Sequence, residues 1–143
     1  MSNIYIYSRG LYEQLNSNEL EGKAIIRIHN LSDKKWYPEK EDGKLILFFN
    51  DLKINNISFI DKLKSQYDFK TTCFMRQHVK EIKNYINTNK NKDLIIHCEY
   101  GKSRSVAISM YLRDYLKYKI INKEEKELTK YNDWVLLMLK KFY

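Results

Sequence analysis

The sequence predicts an α/β fold: one domain over residues 1–143, with a mostly parallel central sheet of four to five strands flanked by helices. Three observations predict it. Four short apolar runs rich in isoleucine, leucine and phenylalanine, Ile4–Tyr7, Ala24–Ile28, Leu45–Phe49 and Leu94–His97, have the length and composition of buried strands. Helix-like segments alternate with them, as crossover connections between parallel strands require. And 143 residues at 43% apolar content suffice for one core, without a Pro/Gly/Ser-rich linker or internal repeat to divide it.

In chain order, the first strand is followed by Glu13–Leu20, read as a short helix. After the second strand, Trp36–Gly43 contains the single proline, Pro38, and reads as a polar turn. The third strand leads into a long polar stretch, Asp51–Lys70, and then into a helix on which Met75, Val79, Ile82 and Ile86 recur at helical spacing. Thr71 or Thr72 is the expected cap of that helix. A solvated loop, Lys90–Lys92, precedes the fourth strand. The next helix carries Val106, Met110 and Leu112 towards the core and runs to about Lys117. Glu124, Glu125 and Glu127 form a solvated face, and a last helix begins near Asn132, packing Val135, Leu136, Met138 and Leu139.

Composition bounds the function classes. No apolar run approaches the ~20 residues of a membrane span and the N-terminal residues lack the pattern of a signal peptide, so the expected location is cytoplasmic. Two cysteines, Cys73 and Cys98, do not make a disulfide scaffold. A net charge of +8 attracts anionic partners, but a chain rich in Lys, Asn, Ile and Tyr and poor in Gly, Pro and Ala also fits AT-rich coding. Nucleic acid and anionic lipid are therefore not the favoured partners, and the sequence leaves the oligomeric state open. Cys73 reads as a core residue near its helix start, with a reversible disulfide to Cys98 as the alternative. His29 and His78 have no partners at metal-ligand spacing, so no metal or other cofactor is expected. Tyr111 and Tyr115 read as helix-surface or packing residues.

The chemistry is concentrated in His97-Cys98-Glu99-Tyr100-Gly101-Lys102-Ser103-Arg104-Ser105, between the fourth strand and a helix. In parallel sheets ligands bind outside the carboxyl ends of the strands, where this segment falls. Five residues between Cys98 and Arg104 let the backbone amides of Glu99, Tyr100, Gly101, Lys102 and Ser103 wrap one phosphoryl group, with the helix dipole behind them. That field also stabilises a thiolate. Arg104 offers a planar fork matching two phosphate oxygens, Gly101 permits a backbone closed to residues with a Cβ, and Lys102 adds positive potential at the rim. Cys98 is thus the candidate nucleophile, Ser105 the candidate hydrogen-bond donor to its sulfur, and His97 an orienting residue in place of a base. Tyr100 is placed to flank the substrate.

This segment resembles the signature loop of the cysteine-dependent protein tyrosine phosphatase superfamily, and the chain's size resembles its compact dual-specificity branch, including bacterial and viral members. The position of Cys98 does not fit the low-molecular-weight phosphatases, and His97 with Ser103-Arg104-Ser105 fits a phosphatase better than a rhodanese. The resemblance implies a phosphorylated protein substrate, with phosphotyrosine and also phosphoserine or phosphothreonine hydrolysed through a phosphocysteine intermediate. It also implies an aspartic acid on a separate loop as general acid. Asp51, at the end of Leu47-Phe48-Phe49-Asn50-Asp51, is the leading candidate, with Asp61 and Asp68 as competitors and Leu52–Lys70 as a substrate-facing insertion. Lys102 matches a lysine of phosphoinositide phosphatases. Glu99-Tyr100 and Ser103 do not favour the RNA 5′-phosphatase branch. A phospho-binding pseudophosphatase is the non-catalytic alternative.

Overall fold

The computed structural model describes residues 2–143 and is α/β, with a single five-stranded, all-parallel sheet flanked by helices. Its strands are β1 (Asn3–Ser8), β2 (Ala24–His29), β3 (Lys44–Phe48), β4 (Leu94–Cys98) and β5 (Lys119–Ile120), in the spatial order β3-β2-β4-β1-β5. The helices are α1 (Arg9–Glu13), α2 (Ser17–Leu20), α3 (Phe59–Gln66), α4 (Arg76–Thr88), α5 (Arg104–Leu116) and α6 (Asp133–Phe142).

Side chains alternate across the strands with a period of two, and the two sheet faces differ accordingly. Ile4, Ile6, Ala24, Ile26, Ile28, Leu94 and Ile96 point to one face, which α4, α5 and α6 cover with Val79, Ile82, Val106, Leu112, Val135 and Leu139. Each such fully buried isoleucine, leucine or valine contributes roughly 1.5–3 kcal/mol. The other face carries Ile25 and Ile95 under Tyr12, flanked by Leu15 and Leu20 of the α1–α2 region. The same face of β2 and β4 also holds the buried Arg27, His29 and His97.

The four expected strands form, with ends within a residue of their predicted bounds. β5 adds a two-residue edge strand beside β1, joined through Asn3–Lys119 and Ile4–Ile120. Glu13–Leu20 is not one helix. Ser8 Oγ accepts from Leu11 N–H at 3.2 Å to start α1, and Asn16 starts α2 with a reciprocal capping box to Glu19. Two caps this close split the segment in two. Nor do Thr71 and Thr72 cap α4: Met75 is the N-cap, and its backbone N–H donates to His78 Nδ1 at 2.9 Å. The stretch Asp51–Lys70 contains a helix, α3, started by Ser58 Oγ accepting from Asp61 N–H. α6 begins as expected, with Asn132 Oδ1 accepting from Val135 N–H at 2.9 Å. Met110 is only partly buried. Among the described residues no helix is long and apolar enough to cross a membrane.

Candidate active site

Because the sheet is all parallel, the carboxyl ends of β1, β2, β3 and β4 share one edge. The residues that leave them, Arg9, Asn30, Phe49–Asp51 and Glu99, meet around Cys98. Ser8 pairs with Cys98 at the end of the β1–β4 ladder, and Arg9 N–H donates to Glu99 O at 3.2 Å.

Gly101 turns the loop with φ +66°. A Cβ there would stand 2.8 Å from Ser8 N and Tyr7 C, so both the backbone angle and the close approach to β1 call for glycine. Ser103 precedes α5, and its carbonyl accepts from Ala107 N–H at 3.0 Å and Asn132 N–H at 3.1 Å. The loop is thereby fastened to β1 at one side and to the start of α6 at the other.

Cys98 is 2% exposed, and its Sγ lies 3.0 Å from Ser105 Oγ, within hydrogen-bond reach. Arg104, 3% exposed, gives one nitrogen to the protein: Nη1 donates to Asn30 Oδ1 and to Phe49 O, both at 2.8 Å. Its Nε is buried without a partner, and among the described residues no carboxylate pairs with its charge. A buried guanidinium with an unanswered N–H is costly unless an anion meets it. The two Nη1 bonds fix the plane of the guanidinium.

An open pocket of about 320 Å³ has Cys98 and Arg104 in its lining, together with Asp51, Tyr100, Lys102, Ser103, Lys53 and Lys130. Glu99, Gly101 and Ser105 do not line it. The Glu99 carboxylate is held by Asn30 Nδ2 at 2.8 Å and Arg9 at 3.3 Å. Of the three candidate aspartates, Asp51 alone lines this pocket. Its Oδ1 accepts from Ser103 Oγ and from Asn132 Nδ2, both at 2.7 Å. Asp61 belongs to α3, and Asp68 pairs with Arg76 at 3.7 Å and Lys80 at 3.5 Å.

His97 faces away from the Cys98 thiol, across the sheet, as adjacent strand residues must. Arg27 Nε donates to His97 Nε2 at 3.0 Å, so Nδ1 carries the proton and lies 3.4 Å from Cys98 O. Arg27 is in turn paired with Glu41. Burial, reinforced by the Arg27 charge, pushes His97 down to about 3; burial also pushes His29 and His78 down to about 4. His97 is therefore neutral and fits an orienting role better than that of a base.

A pH dependence of stability follows from these three histidines. Unfolded histidine takes up its proton near pH 6.5, whereas the folded groups do so only at the lowered values. Their stability contribution is full above about pH 6.5 and is lost as pH falls towards 4. Each should cost roughly 2 kcal/mol between pH 6.5 and 5, read as a falling urea midpoint. A midpoint unchanged over that interval would contradict the buried, neutral assignment.

Sequence reasoning did not find Asn30, Arg9, Arg27 or the link from Asn132 to Asp51. Asn132 was legible as a helix cap, but its Nδ2 bond to Asp51 joins residues 81 apart. Compared with known proteins, the chain matches no family model, no curated protein and no solved structure.

Proposed function

We propose that the chain is a metal-independent phosphomonoesterase that hydrolyses phosphotyrosine in proteins, and also phosphoserine or phosphothreonine, through a phosphocysteine intermediate. The observation that carries this reading is Arg104: a buried cation without a carboxylate partner, its Nε unanswered, lining the same pocket as the buried Cys98. Those two residues supply a nucleophile and a fork for the oxygens of one phosphoryl group.

In the first step the Cys98 thiolate attacks phosphorus in line, forming the S–P bond as the ester P–O bond breaks. Arg104 and the loop amides hold the equatorial oxygens as charge redistributes. The departing oxygen takes a proton from the Asp51 carboxyl. Ser103 and Asn132 both bond to Oδ1, which leaves Oδ2 to carry that proton. In the second step water attacks phosphorus and gives a proton back to Asp51, the S–P bond breaks, and the Ser105 hydroxyl stabilises the departing thiolate.

The wild-type protein should release phosphate from an aryl phosphate in the presence of a metal chelator. Binding of phosphopeptide without turnover would favour the pseudophosphatase. Asp51→Asn should slow phosphotyrosine peptide about 10²-fold or more, because its phenol leaves poorly without a proton. An activated nitrophenyl phosphate should be slowed much less. Equal rates of wild type and variant on the peptide would reject Asp51 as the acid.

One observation favours a second substrate class. Lys102 and Lys130 line both the catalytic pocket and an adjoining recess of about 240 Å³ whose other lining residues are Lys123, Lys126 (paired with Glu124), Thr129 and one carboxylate, Glu127. A second anionic group beside the reacting phosphate would meet these cations, which suits a multiply phosphorylated inositol lipid. A phosphoinositide panel run beside phosphopeptides separates the two.

A further inference from the structure

We propose that α3 and the turn after it form a docking ridge for an anionic membrane surface. The proposal stands on the exposure pattern of this segment and does not depend on the reaction at Cys98.

The helix is amphipathic in the inverted sense. Phe59, Ile60 and Leu63 are 74%, 62% and 42% exposed, and Tyr67 and Phe69 just beyond are 67% and 65% exposed. At the helical advance per residue, Phe59, Ile60, Leu63 and Tyr67 fall within an arc of about 100°. The one buried residue of α3 is Ser65, whose hydroxyl donates to Lys62 O and which lies beside Cys73. A surface helix ordinarily turns its apolar stripe to the core. Here a serine faces inward and large apolar side chains face out.

The segment leaves the sheet edge at Asp51 and returns at Thr72, whose carbonyl accepts from Asn50 N–H at 2.7 Å. In between it follows the flank of α6. Ile54 N–H donates to Asp133 Oδ1 at the start of α6, and Lys141 near its end bonds Gln66. Leu137 of α6, one turn before Lys141, is also 46% exposed.

Charge selects the occupant. Lys64 and Lys70 belong to this segment and Lys140 and Lys141 to the end of α6; all four are exposed and none pairs with a carboxylate among the described residues, while the segment's acidic residues after Asp51 are Asp61, in the first turn of α3, and Asp68. Asp68 is already paired with Arg76 and Lys80. A second copy meeting the same face about a two-fold axis would set these lysines against their own counterparts. Exposed apolar side chains on a ridge, with lysines around them, match the headgroup and acyl boundary of an anionic bilayer.

The test is sedimentation of the full chain with large vesicles, either of phosphatidylcholine alone or containing phosphatidylserine. The protein should partition into the anionic vesicles at least about tenfold better than into the neutral ones, and added salt should weaken the binding. Phe59→Ser combined with Ile60→Ser and Leu63→Ser should reduce that partitioning about tenfold or more. These positions are exposed and, of the Leu52–Lys70 stretch expected to face substrate, only Lys53 lines the Cys98 pocket, so circular dichroism and hydrolysis of a soluble aryl phosphate should match the wild type. Lys64→Glu with Lys70→Glu should reduce binding to the anionic vesicles only. The proposal is overturned by a monomeric wild type that ignores anionic vesicles, which would point to an acidic protein partner instead. It is equally overturned if the triple variant binds as tightly as the wild type, or if the wild type is a dimer that the triple variant makes monomeric.

Discussion

Cys98→Ser is expected to lower turnover of any phosphomonoester by about 10⁴-fold or more, since the proposed covalent intermediate forms on the Cys98 sulfur. The substitution replaces one atom at a buried position and keeps a hydrogen-bonding partner for Ser105, so fold and substrate affinity should persist. Steady-state hydrolysis of an aryl phosphate measures the first effect, and retention of a phosphopeptide by the variant measures the second. Activity surviving in Cys98→Ser would remove the cysteine from the chemistry. Loss of phosphopeptide binding together with activity would instead point to a structural defect.

Arg104→Lys is expected to lower kcat by about 10²- to 10³-fold, the range for removing a positioned charge-stabilising donor. It should also weaken competitive inhibition by inorganic phosphate. The reason is geometric. Arg104 uses Nη1 to bind Asn30 and the Phe49 carbonyl, and this anchoring fixes the plane of its guanidinium. A lysine has one nitrogen for this anchoring and the phosphate contact, and no planar fork. The melting temperature reports how much of the loss comes from the buried tether rather than from the phosphate contact. A lysine variant within a few-fold of wild-type kcat would mean that the guanidinium is structural.

The two residues of largest expected effect were legible in the sequence for a local reason. Cys98 closes an apolar strand, Arg104 opens a helix, and the loop between them is too short to put them far apart. The same locality made β1 to β4 and the start of α6 readable from apolar runs and one asparagine cap. What was hidden is non-local. Asn30, at the end of β2, joins Glu99 to Arg104, and Asn132, at the start of α6, joins Asp51 to the Ser103 backbone. Neither contact has a sequence period or a fixed offset. β5 was invisible because two residues carry no alternation, and its pairing with β1 depends on α5 ending at Leu116, after which Lys117 adopts a left-handed conformation with φ 65°. α3 escaped for the opposite reason: its apolar stripe exists but points outward, away from the core that would have justified it.

Asp51 stands between these cases. Its place at the end of a strand was readable, while the choice over Asp61 and Asp68 rests on the pocket that it shares with Cys98 and on the two donors that hold its Oδ1. Its role as acid is tested by leaving-group dependence. The identity of the nucleophile allows a more direct observation.

That observation is the covalent intermediate. Ser105→Ala removes the hydroxyl 3.0 Å from the Cys98 sulfur and should slow hydrolysis of the thiophosphate more than its formation. Rapidly quenching this variant during turnover of an aryl phosphate, followed by peptide mass spectrometry, should place one phosphoryl group on Cys98. Phosphate released at the steady-state rate with the label on another residue, or on none, would contradict phosphoryl transfer to the cysteine.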